Sequence, residues 1–152
     1  MIKSTAWTLT KMVKQLQLSK LFWIALGINY LFGIAVLYSI LTIPNNIFDI
    51  NNNPEHLLAA FKLTYVRAAI VTFALISYPI LLLKSRKYIT LFTVGLTAWV
   101  AAMYIDDNLV LYRIIEYPDR TFVVLLQTFR PITIACLIWM SFELTFSKYK
   151  KY

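Results

Sequence analysis

Of 152 residues, only three are glycine, five are proline, one is cysteine and one is histidine. The lone Cys136 rules out a disulfide within the chain and any cysteine metal cluster. The lone His56 rules out haem held between two histidines of one chain. Scarce glycine and proline leave little material for loops. Charge is scarce as well: 14% of residues are charged, against about 25% in a typical soluble domain. Acids number seven against fifteen lysines and arginines, for a net charge of +8. Also missing are a Walker loop, a zincin helix, a nucleophile elbow and a glycine-rich dinucleotide loop. Neither an internal repeat nor a low-complexity tract is visible. No cofactor is expected.

What the chain does have is apolar length. It is 60% hydrophobic, with a mean hydropathy of +0.67. Lipid is therefore expected to form part of its solvent. The charges sit between the apolar stretches and in two patterns. Ten of the fifteen basic residues fall in three clusters: Lys3, Lys11, Lys14 and Lys20; Lys84, Arg86 and Lys87; Lys148, Lys150 and Lys151. Six of the seven acids fall in two other segments, taken as 44–55 and 106–120. Translocated loops avoid lysine and arginine, so both termini are expected on the cytoplasmic side. The positive charge flanks apolar spans instead of forming a stripe or tail, which argues against nucleic acid as a partner. Lipid headgroups are the expected partner of the flanking cations.

The expected fold is an all-α integral membrane protein, a four-helix antiparallel bundle with an N-terminal amphipathic helix. Residues 1–20 form that basic lead, with Ile2, Ala6, Leu9, Val13 and Leu16 at helical spacing and Trp7 as an interfacial anchor. It does not read as a secretory signal, because the apolar stretch after it is too long and no small-residue cleavage site closes it. The membrane domain is 21–147, with spans expected at 21–43, 61–83, 88–105 and 122–146, and 148–152 form a basic tail. The first span has 23 residues without a charge, about 35 Å of helix. Asn53-Pro54-Glu55 reads as a cap, a first-turn proline and a first-turn acid, so the second helix is expected to begin near Pro54. Pro79 is a candidate kink in it. Segment 106–119 is too apolar for a freely solvated loop, and a short helix or a segment packed on the bundle mouth is expected.

Ionisable groups within spans are the candidate functional residues. Arg67 lies 17 residues from Lys84, and Arg130 lies 18 residues from Lys148. Both are thus about 25–27 Å from the inner boundary, near the outer face. Snorkelling, or pairing with Asp106, Asp107 or Glu116, is the plainer reading. A basic pocket at the bundle mouth for an anionic headgroup, a substrate or a partner's carboxylate is the sharper one. Glu143, five residues before Lys148, is read either as a cation-binding carboxylate or as a helix-end acid paired with Ser147-Lys148 or with Lys84, Arg86 and Lys87. Asn29, near mid-span, is read as an interhelical hydrogen bonder. Ala25, Asn29 and Gly33 form a small-residue stripe, and Thr64-Ala68-Thr72 and Thr93-Thr97-Ala101 form similar ones.

The expected function is that of a non-catalytic accessory or assembly subunit of a larger membrane complex, in a prokaryotic inner membrane. The alternative is a homo-oligomeric channel or membrane-permeabilising or sensing effector lined by Glu143 and Asn29. A third reading is a lipid-headgroup enzyme built on Arg67, Arg130, Asp106 and Asp107.

Overall fold

The computed structural model describes residues 18–42, 62–84, 86–111 and 121–146. They are helical almost throughout, in four helices long and apolar enough to cross a membrane. Helix α1 is Lys20–Leu41, α2 is Arg67–Lys84, α3 is Arg86–Asp106 and α4 is Thr121–Phe146. A wider π-helical turn, Lys62–Val66, precedes α2, and another, Asp107–Leu111, follows α3. The expected amphipathic helix lies outside the described residues except for its last three positions, as do 44–55, the start at Pro54 and the basic tail.

Each helix follows from an uninterrupted apolar run with a defined end. Ser19, extended in backbone, opens α1 by accepting a hydrogen bond from the Phe22 N–H at 3.1 Å. That satisfies one of the first-turn donors that a helix leaves without an internal partner. At the other end the backbone N–H of Thr42 and its hydroxyl both reach the Tyr38 carbonyl at 3.1 Å. The third helix runs one residue beyond its expected end at Ile105, and the π turn then carries helical backbone on to Leu111. Asp106 and Asp107 therefore belong to helical structure, not to a loop.

The helices meet in a ring in which α1 contacts α2 and α4, and α3 contacts α2 and α4. One end is apolar. Phe22 and Ala25 of α1, Tyr78 and Leu82 of α2, Ile89 of α3, and Met140 and Leu144 of α4 form one buried cluster there. Side-chain hydrogen bonds join neighbouring helices of the ring. Ser19 meets Glu143, Tyr30 meets Leu75, Tyr78 meets Thr93, and Thr97 meets Ser141.

Small residues allow the closest approach. Gly33 is buried, and a β-carbon there would stand 3.2 Å from Leu75 Cδ2 and 3.5 Å from Val71 Cγ1. Ala25 and Gly33 thus lie on a packing face of α1, with Asn29 half-buried between them. The third-helix stripe is also turned inward, with Thr93 buried and Thr97 and Ala101 half-buried. The second-helix stripe is different: Thr72 is exposed, and the buried line of α2 is Arg67, Ala74, Tyr78 and Leu82.

Proline inside α2 has a specific partner. Pro79 has no N–H, so the carbonyl four residues earlier, that of Leu75, loses its ordinary helical donor. The Tyr30 hydroxyl of α1 donates to that carbonyl at 2.8 Å. A defect in one helix has become a tie to its neighbour.

The exterior differs from that of a water-soluble bundle, because large apolar side chains cover it. Leu31, Tyr38, Phe73, Ile76, Leu91, Ile138 and Phe142 face outward, while Arg67, Thr93, Asp107 and Thr133 are buried. Hydrogen bonds satisfy the hydroxyls locally. Thr93, Thr97 and Thr145 each donate to the carbonyl four residues back, at 2.7 Å.

Candidate functional site

The end of the bundle opposite the apolar cluster is closed by charge. Arg67 is the first residue of α2, immediately after one π turn, and Asp107 is the first residue of the other. Arg130 stands in the first half of α4, directly before Pro131. The three side chains converge. Arg67 Nη2 donates to Asp107 Oδ1, and Arg130 Nη1 donates to Asp107 Oδ2. One carboxylate thus joins α2 and α4 to the end of α3, each of its oxygens taken by a different helix.

Burial makes this arrangement consequential. Asp107 is 0% exposed and Arg67 is 7% exposed. Removing charges from water costs several kcal/mol per ion, and only good geometry with further hydrogen bonds offsets it. Asp107 shares one negative charge between two guanidinium groups. Both π turns fall at this level, and such turns occur frequently at functional sites because they re-aim side chains within a helix.

The arginines also border open space. A cleft of about 110 Å³ runs inside the bundle, with walls from all four helices that include Asn29, Tyr30, Gly33, Tyr78, Trp99 and Met140. Its walls are chiefly apolar, and Arg67 and Arg130 are its cationic lining residues, whereas Asp107 is not part of the wall. A second, polar cavity of about 230 Å³ is lined by Tyr104, Asn108, Gln127, Thr128 and Arg130. Arg130 therefore borders both spaces.

The structure thus brings together Arg67, Arg130 and Asp107 from the sequence-derived set. Asp106 closes α3, half-buried, one residue before the cluster. Glu116 lies outside the described residues. The amide of Asn29 donates to the Ala25 carbonyl at 2.8 Å and approaches Met140 Sδ of α4 at 3.7 Å.

Glu143 is at the far end of the bundle and has a partner that its sequence neighbourhood does not announce. Ser19 donates its hydroxyl to Glu143 Oε2 at 2.7 Å and its backbone N–H to Oε1. The carboxylate is thereby fixed at the positive N-terminus of α1, where a helix favours an anion. Ser147 and Lys148, among its expected partners, lie outside the described residues.

Sequence reasoning missed Ser19 and Tyr30 as ties between helices. Pro79 was the signal for the second, since an unmatched carbonyl within a helix demands an outside donor. Tyr104, Asn108, Gln127 and Thr128 were missed as walls of a polar space; Gln127 and Thr128 stand just before Arg130 in sequence. Of the tryptophans on α3 and α4, Trp99 lines the cleft and Trp139 faces outward. Among the described residues, no three histidine, cysteine, aspartate or glutamate side chains converge as a metal site. Comparison with protein-family models, with curated proteins and with solved structures finds no match.

Proposed function

We propose that the chain is a four-span integral membrane protein that works without catalysis of its own, as an accessory or assembly subunit of a larger complex. Its helices run antiparallel, and both termini lie on the cytoplasmic side of a prokaryotic inner membrane. Support for the antiparallel order comes from the pairing of opposite helix ends, Ser19 with Glu143 and Arg67 with Asp107. Support for the orientation comes from the three basic clusters.

One observation carries the accessory reading. Between 11% and 22% of the residues in each spanning segment are buried within the chain. Most of the apolar surface of each helix is left for lipid or for helices of other subunits. Exposed polar residues such as Thr72 and Thr128 on otherwise apolar helices suit the second kind of neighbour, because hydroxyls and small side chains are favoured where membrane helices associate.

Native mass spectrometry after extraction in a mild detergent tests this reading. A defined heteromeric assembly containing this chain is expected. A stable lone monomer with no copurifying membrane subunit would count against it. The channel alternative has less support, because Glu143 is engaged by Ser19 and the Asn29 amide by Ala25.

A further inference from the structure

Pro131 in α4 sets the same problem that Tyr30 solves at Pro79. It has no N–H, so the Gln127 carbonyl, four residues earlier, loses its ordinary helical donor. At Pro79 the Tyr30 hydroxyl supplies a replacement. At Pro131 no side chain among the described residues does so. Gln127 instead walls the polar cavity of about 230 Å³, together with Tyr104, Asn108, Thr128 and Arg130. The hydrogen-bonding capacity left over around that space is mixed. Among the described residues, the Gln127 amide and the Tyr104 hydroxyl have no partner. Asn108 donates an N–H to the Tyr104 carbonyl at 2.7 Å, and Thr128 donates its hydroxyl to the Val124 carbonyl at 2.9 Å. The side-chain oxygens of both remain as acceptors. Arg130 gives one nitrogen to Asp107 and has further N–H groups to donate.

We propose that this polar cavity binds one neutral sugar ring, carried by a lipid headgroup or by a free glycoside. The mixture of donors and acceptors carries the choice. A hydroxyl both donates and accepts, so a ring bearing several can donate to the Gln127 carbonyl and accept from Arg130 at once. An ionised carboxylate only accepts, and leaves that carbonyl without a donor. An ammonium only donates, and would lie against the Arg130 guanidinium. The match needs no surplus charge, because Arg130 enters as a donor while Asp107 balances it. Size agrees. A space of about 230 Å³ exceeds the engineered cavity of about 150 Å³ that admits one benzene ring, so a six-membered ring with its hydroxyls fits. Arg130 lies 18 residues from Lys148, about 27 Å along the helix, which sets the cavity at the headgroups of the outer leaflet. The choice of leaflet rests on the proposed orientation. The site itself does not, since its walls belong to one chain.

The test uses the full chain in phosphatidylcholine nanodiscs doped with equal amounts of glucosyl diacylglycerol, diacylglycerol and phosphatidylglycerol. Native mass spectrometry after release counts the lipid retained per chain. One glucosyl lipid is expected, enriched at least tenfold over diacylglycerol. Gln127→Leu is expected to lower its retention at least tenfold, and Tyr104→Phe, which removes one hydroxyl, at least threefold. Pro131→Ala returns an N–H to the Gln127 carbonyl while keeping every side chain of the wall, and a loss of at least threefold is expected. Thr72→Val, at an exposed position on α2, should retain the lipid as the parent does. Saturation-transfer NMR with methyl glucoside separates the two sources. A signal means that the ring alone is recognised, and silence alongside retained glucosyl lipid means that the sugar must be lipid-borne; both support a sugar site. Equal retention of diacylglycerol, or preferred retention of phosphatidylglycerol, overturns the proposal. So does parent-like retention in Gln127→Leu, Tyr104→Phe and Pro131→Ala together. Neither retained glucosyl lipid nor a glucoside signal would leave the cavity to water and sink the idea.

Discussion

Asp107 is the residue whose loss would be felt most. It is fully buried and holds two arginines from two helices. Asp107→Asn keeps the shape and leaves two facing cations without their shared anion. A loss of about 3–5 kcal/mol is expected, the usual cost of breaking a buried pair by removing one partner. Replacing all three residues together, Arg67→Met, Asp107→Leu and Arg130→Met, is expected to be near neutral for folding, because no buried charge remains. Thermal unfolding in a non-ionic detergent separates the two outcomes. The matched depth of Arg67 and Arg130 was legible from counting back to the inner basic clusters. Which of three acids would meet them was not. That depends on the phase of α3 at its last turn, where the π turn decides which way residue 107 points, and residue spacing carries no such information.

At the scale of elements, Tyr30, Leu75 and Pro79 form one unit. Tyr30→Phe removes the donor that replaces the missing N–H of Pro79, and is expected to destabilise the α1–α2 pair by about 0.6–2 kcal/mol. In a Pro79→Ala background the helix supplies its own donor, so the same change should cost less. A double-mutant cycle by unfolding in mixed micelles reads the difference directly. Glycine gives a second contrast on α1. Gly33→Leu must push against Leu75 and Val71 and is expected to separate α1 from α2, whereas a β-carbon at Gly27 meets nothing within 4 Å, so Gly27→Leu should fold as the parent does. At the start of the same helix, Ser19→Ala removes the cap of α1 and one bond to Glu143, an expected loss of about 0.5–2 kcal/mol. The spans themselves were readable, because apolar runs between charged boundaries leave a helix little choice. The Ser19–Glu143 contact was not, since the two residues are 124 positions apart and nothing local to either points to the other.

For the molecule as a whole, the proposed orientation makes a direct prediction. In a Cys136→Ala background, single cysteines at Lys3 and Lys150 should be shielded from an impermeant thiol reagent added outside intact cells, and one at Asp49 should react. The reverse pattern would overturn the proposed orientation. The proposed orientation rests on charge placement alone, since basic residues resist translocation whatever the helices later do. The cleft was not legible. It exists because the apolar cluster closes one end of the ring and the ionic cluster the other, with Gly33 between them, and no single stretch of sequence carries that. The shared carboxylate also has a consequence for synthesis. In a membrane, a lone arginine costs about 2.5–3.5 kcal/mol to insert at the centre of a span, and an unpaired one nearer the interface a part of that. Arg67 emerges 40 residues before Asp107 and Arg130 emerges 23 residues after it. The second and third helices should thus enter the bilayer as a pair once Asp107 is made, and the fourth should find its counter-charge already in place.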